Sequence, residues 1–335
     1  MVWEFGSPVI VAPMAGGPST TALVRAAAAA GAVGFLAAGY KTPDVVAREV
    51  GELRESGLPY GLNIFLPTAP ADPAAVSEYR RLLQPEAERY GVELPHPPLH
   101  DDDHFADKVR LAVQARVPLV SFTFGVPDRD VVAELHRAGS TVLVTVTTAA
   151  EARLAAAVGP DLLIVQAGTA GAHSATTTPA DYDGSSTAPQ LVREVAAAVE
   201  LPLVAAGGTG TGEHVRELIA AGAVAVQAGT AFLLADEAGT RPAQRAVMLS
   251  GRYTETVVTR AFTGRPARGL RNRFIDAYSA AAPVGYPAVH HLTAPIRAAA
   301  AAQDDPEALS LWAGTAFADA RPGPAAAIVA RLSEG

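Results

Sequence analysis

Two kinds of segment alternate along most of the chain. Short apolar runs, each closing on Gly, Pro or a polar residue, are followed by longer amphipathic stretches of Ala, Leu, Arg and Glu. Eight of the runs read as strands: Val9–Met14, Val33–Ala38, Tyr60–Phe65, Leu119–Phe124, Thr141–Val146, Leu162–Ala167, Leu201–Gly207 and Val224–Gly229. They are nearly continuously apolar instead of alternating, as strands buried on both faces of a parallel sheet are. Eight such units favour closure, so the expected fold class is α/β, a (β/α)8 TIM barrel with a smaller, mainly helical cap. An open doubly wound sheet would carry a G-x-G-x-x-G turn after an early strand, and the turn after Met14 reads Ala15-Gly16-Gly17-Pro18 instead.

Two stretches break the repeat. Residues 67–104 are rich in Pro and acid, and their run Asp101-Asp102-Asp103 reads as a solvated turn without metal-ligand spacing. Residues 235–302 hold helical patterns and no convincing strand. The expected division is therefore a barrel of residues 1–66 and 105–234, an excursion (67–104) and a helical segment (235–302) capping its mouth, and C-terminal helices (303–335) returning to the barrel. The basic run Arg265, Arg268, Arg271 and Arg273 reads as a salt-bridged face of that cap.

Composition narrows the function. A chain of 335 residues, 49% hydrophobic, suits one barrel with an accessory segment. Its net charge of −8 argues against nucleic acid, because binding a phosphate backbone needs a clustered basic surface. The absence of Cys excludes disulfides, thiolate metal sites and a Cys nucleophile, and no metal is expected. No basic leader precedes a long apolar stretch, and no run approaches the roughly 18 apolar residues of a membrane span. A cytoplasmic location with no membrane partner is the expectation, and a homodimer is compatible with it.

In such a barrel the reactive groups stand at the C-terminal ends of the strands. Gly207-Gly208 and Gly229-Thr230 end runs seven and eight, where exposed backbone N–H groups commonly hold a phosphate. After run six the chain reads Gln166-Ala167-Gly168-Thr169-Ala170-Gly171-Ala172-His173. Small residues let backbone approach a flat ligand, and a histidine there has a free pKa suited to proton transfer. His173 is the candidate base, against the alternative of an exposed or capping histidine.

That last run resembles the Q-G-x-x-A-G-G-H motif of nitronate monooxygenases. Further similarities lie at Ala12-Pro13-Met14-Ala15-Gly16, Gly61-Leu62-Asn63-Ile64-Phe65, Val120 to Gly125, Phe262 to Asn272 and Tyr286 to Thr293, so they span nearly the whole chain. The resemblance implies FMN as cofactor. It implies that Asn63 and Gln166 hydrogen-bond the isoalloxazine and that Ala12, Pro13 and Met14 pack beside it. Gly171, Gly207, Gly208, Gln227, Gly229 and Thr230 would line the phosphate and ribityl end. The implied activity is oxidation of a small nitronate or nitroalkane by O2 to a carbonyl compound and nitrite. His173 would act as base or, as imidazolium, would steady the nitronate. Tyr40, Tyr286, His290 and His291 are candidate substrate contacts from the cap, with satisfied buried side chains as the alternative.

Two departures from the family pattern stand out. Ala172 replaces the second glycine of the motif, a small change that leaves close backbone approach possible. Thr123 stands where S-F-H-F-G has a histidine, which removes a ring able to touch a nitro group and leaves substrate range open. Two other functions fit the same residues: an FMN-dependent NAD(P)H reductase of quinones or enoyl thioesters, and a non-catalytic barrel binding a phosphorylated metabolite.

Overall fold

The computed structural model describes residues 6–334; of the expected division, residues 1–5 and 335 lie outside the described residues. Eight parallel strands close a barrel. In chain order they are β1 (Val9–Val11), β2 (Val33–Ala37), β3 (Tyr60–Phe65), β4 (Leu119–Thr123), β5 (Thr141–Val146) and β6 (Leu162–Gln166). After an outlying two-residue strand β7 (Ala172–His173) come β8 (Leu203–Ala206) and β9 (Ala225–Ala228), and β9 pairs back to β1. Every barrel strand coincides with an apolar run of the sequence, trimmed by up to three residues where the chain turns into a loop.

Alternation along the strands sorts the core. Ile10, Phe35, Leu119, Leu143, Leu162, Ile164, Val204 and Ala225 cluster inside the barrel, while Val9, Val11, Leu36 and Leu62 pack outward on helices. Gly61 is glycine because of this packing: a Cβ there would lie 2.3 Å from the Phe35 ring, which fills the space instead. The helices begin where hydroxyls cap them, Thr20 accepting from Leu23 N, Thr148 from Glu151 N and Thr211 from His214 N. The helix Ala325–Ser333 packs on Thr21–Ala29 and Gly212–Ala220 and so covers the β9–β1 side. Among the described residues no helix is long and apolar enough to cross a membrane.

A second core lies over the C-terminal mouth. Tyr79, Phe262, Phe274, Leu292 and Ile296 are fully buried there, drawn from the excursion after β3 and from the segment after β9. One expectation fails at this point. Residues 235–302 contain two strands, β10 (Thr256–Thr259) and β11 (Ala267–Leu270), which with β7 form an antiparallel sheet in the order β10-β11-β7. Four residues are too few to show a period, and the pairing that creates β11 joins it to His173 across more than 90 residues of chain.

Candidate active site

The strand ends and the cap enclose a cavity of about 440 Å3. Ala12, Pro13 and Met14 follow β1 into it, tied by Ala12 N to Ala228 O (2.9 Å) and by Met14 N to Ser19 Oγ (2.8 Å). Asn63, Thr123, Gln166, Gly171, Gly207, Gly208, Gln227, Gly229 and Thr230 line it from the other strand ends, and Tyr40 and His290 from the rim. Tyr286 and His291 do not line it.

Asn63 is buried and its amide is oriented: Oδ1 accepts from Ser121 Oγ (2.8 Å) and from Thr123 Oγ1 (2.9 Å). Among the described residues the Nδ2 group has no acceptor. Thr123 is thus spent on Asn63 instead of reaching out as a ring would. Gln227 is buried with Nε2 unpartnered, and the Thr169 and Thr209 hydroxyls are unpartnered too. A buried donor without a partner costs about 1–3 kcal/mol, so Gln227 and Thr209, which line the cavity, call for a polar ligand. Thr230 Oγ1 accepts from Gly314 N (2.9 Å), which ties the C-terminal segment to the cavity wall.

Gln166 holds the histidine loop. Its Nε2 donates to His173 O (3.1 Å) and its Oε1 accepts from Ala175 N (2.7 Å). Gly171 lies against Ala313 and Gly314, where a Cβ would meet backbone at 2.5 Å. Ala172 adopts φ +64, the left-handed conformation that glycine takes most easily. The second glycine of the family motif therefore stands at the backbone position that wants one.

His173 reaches the cavity from β7, held between Phe124, Tyr286 and Trp312 with ring centroids 5.6–5.8 Å away. Its Nε2 lies 2.9 Å from Thr263 Oγ1. Thr263 Oγ1 is also 3.3 Å from Arg265 O; when the hydroxyl donates there, Nε2–H donates to Thr263 and Nδ1 keeps its lone pair. Desolvation, then Arg265 and Arg297, push the imidazole pKa down to about 3. The ring is held neutral.

The rim is built from side chains the sequence placed far apart. Tyr40, at φ +67, stacks on His290 with centroids 4.4 Å apart and planes 6° off parallel. Its N–H donates to Asp103 Oδ1 (3.0 Å), and Asp103 Oδ2 lies 2.7 Å from Nζ of the fully buried Lys108. Tyr286 donates to the Tyr40 hydroxyl at 3.4 Å. Asp101 accepts from His291 Nε2 (2.9 Å), so His291 braces the excursion and does not face the cavity. The acidic run is accordingly not a plain solvated turn, because two of its carboxylates hold the rim.

The basic run also divides. Arg271 pairs with Glu255 and Asp276, and Arg273 with Glu86, as a salt-bridged face would. Arg265 and Arg268 make no ion pair among the described residues; both donate to backbone carbonyls around the His173 loop. Arg265 and Arg268 thus depart from the salt-bridged face the sequence suggested, and sequence reasoning gave no role to Thr263, Trp312 or Arg297. Arg297 lines the cavity and donates to His290 O (2.7 Å) and Thr293 Oγ1 (3.2 Å).

Comparison with known proteins agrees with this arrangement. The family model described as "Nitronate monooxygenase" matches residues 1–335. The chain belongs to the nitronate monooxygenase family. It is an oxidoreductase of that family, as its motifs implied. A nitronate monooxygenase of Pseudomonas aeruginosa is 36% identical, with 98% of this chain and 95% of that protein covered. A probable nitronate monooxygenase of Staphylococcus saprophyticus is 34% identical, covering 92% and 88%. The crystal structure of a nitroalkane oxidase from Streptomyces ansochromogenes superposes with a TM-score of 0.93 at 43% identity, covering 98% and 96% of the two chains.

Proposed function

We propose that this nitronate monooxygenase family member binds FMN in the cavity and oxidises a small nitronate or nitroalkane with O2, His173 acting as base toward the neutral nitroalkane. The observation that carries this is a neutral imidazole at the wall of a cavity that also presents the unpartnered polar atoms of Gln227 and Thr209.

The residues present fit the flavin. Asn63 Nδ2 is a donor to the flat polar ring and the unpartnered Gln227 Nε2 one to the ribityl end, while Gln166, expected at the ring, has both amide atoms engaged by its own loop; Ala12 to Met14 offer apolar packing, and Gly207, Gly208 and Gly229 leave backbone accessible for a terminal phosphate. FMN, when bound, supplies the electron transfer between nitronate and O2 that no side chain can supply. His173 Nδ1 takes the α-proton, and the electron pair of the broken C–H bond stays on the nitronate. The packing of Phe124, Tyr286 and Trp312 around the ring limits the water that could compete for that proton. Desolvation of the ring, with Arg265 and Arg297 nearby, disfavours an imidazolium in the resting site, so the base is the better-supported of the two roles considered. The products implied by the family resemblance are a carbonyl compound and nitrite.

The test is His173→Asn. The purified variant keeps the yellow flavin spectrum, and its ratio of nitroalkane to preformed-nitronate turnover falls at least about hundredfold, the usual share of a general base. An unchanged ratio rejects the role. Anaerobic bleaching of the flavin by NADH and not by nitronate would favour a reductase, and colourless protein that takes up no FMN a binding barrel.

A further inference from the structure

We infer that Arg265 is a positioning residue for His173, acting through the loop 174–177 and through the fixed positive charge it sets against the Phe124 face. The inference rests on the base reading of His173.

Arg265 is 3% exposed and has no carboxylate within ion-pair distance among the described residues. Its Nε donates to Ser174 O (2.9 Å) and its Nη2 to Thr176 O, the first and third peptide carbonyls after His173. Its guanidinium carbon lies 3.9 Å from the centroid of Phe124, and Phe124 meets the His173 ring edge-on. The same loop is gripped from its other side by Glu151, also buried. Glu151 accepts from Thr177 N (2.7 Å), Thr177 Oγ1 (2.8 Å) and Thr176 Oγ1, and from Thr147 N and Oγ1. Two opposite buried charges are therefore spent on one four-residue loop without meeting each other.

Bonding two carbonyls does not require a charge. A neutral amide donates as well, and taking an unpaired cation out of water costs several kcal/mol that hydrogen bonds to carbonyls only partly offset. What the guanidinium adds is its field at His173. The groups facing that ring are Thr263, Tyr286, Phe124 and Trp312, with Arg297 and the neutral His290 beyond; Arg265 and Arg297 are the cations among them. The consequence is an imidazole that stays unprotonated in the resting site at any working pH and becomes charged only as a nitronate anion forms beside it. The proton passes from substrate carbon to Nδ1, the C–H electron pair remains on the nitronate, and no other reactant is needed.

Histidine-labelled, flavin-loaded protein tests this by NMR, the His173 signal being the one lost in His173→Asn. At pH 4.5 a ring with pKa about 3 is a few per cent protonated. In Arg265→Gln we expect the midpoint to rise by on the order of one unit, to about a quarter protonated at that pH. Arg265→Lys keeps the charge on one bond and should lie between; it also serves if the Gln variant does not fold. The acid limb of nitroalkane turnover should rise with the NMR midpoint. An unmoved midpoint in both variants overturns the inference, even where His173→Asn still abolishes proton abstraction. A raised midpoint with an unmoved acid limb supports the hold of Arg265 on the ring and instead overturns the base assignment.

Discussion

At the scale of single residues, the departure at Thr123 is the most informative. In the sequence it reads as a lost ring; in the structure its hydroxyl is one of two donors that fix the Asn63 amide. Thr123 thus both forms part of the cavity wall and orients an amide proposed to hold the flavin. Thr123→Val removes one donor while keeping the volume. It should weaken FMN retention by about 1 kcal/mol, about fivefold in Kd, in a fluorescence titration. Equal affinity would mean that Ser121 alone orients Asn63. His173 was legible because the motif carries it; Thr263 and Arg265 fall in the family-like segment Phe262 to Asn272, but their link to His173 was not legible, because those contacts span about 90 residues.

At the scale of elements, the barrel strands were legible because each is a dense apolar run between turn residues, and burial on both faces removes the ambiguity of alternation. β10 and β11 were not. Thr256–Thr259 is only half-buried and Ala267–Leu270 includes Arg268, so neither looks apolar enough to stand alone. The acidic excursion misled in the opposite sense, since its polar composition conceals the role of Asp103, which pairs with Lys108, fully buried in the helix that follows. Asp103→Asn leaves that ammonium without a counter-charge and should cost about 3 kcal/mol in urea unfolding. The double variant Asp103→Asn, Lys108→Met should recover most of it. A loss below about 1 kcal/mol in the single variant would show that the ammonium reaches water instead.

At the scale of the whole molecule, the cavity imposes a pH signature. His173 and His290 are both neutral when folded, their pKa values pushed down to about 3 and about 2, first by desolvation and then by neighbouring cations. Unfolded, each titrates near 6.5. As pH falls below about 6.5 the unfolded chain takes up two protons that the folded chain refuses, so folding stability declines down to about pH 3. The sign is that of depressed bases: nothing is lost above pH 6.5. The two sites contribute at most about 2.7 kcal/mol per pH unit, which is two protons at about 1.36 each. Replacing both with Asn should flatten the difference in unfolding free energy between pH 6.5 and 4. An equally steep decline would place the proton uptake on carboxylates.

The small sheet β10-β11-β7 joins the imidazole-bearing strand to a segment that arrives from after the barrel's last strand. Exchange of this covering region between relatives would carry along β11, the strand against which β7, bearing the His173 ring, is laid. New specificities transplanted as whole blocks should then arrive with their own alignment of that ring, while piecemeal grafts that cut between residues 259 and 267 would inherit a mismatched one.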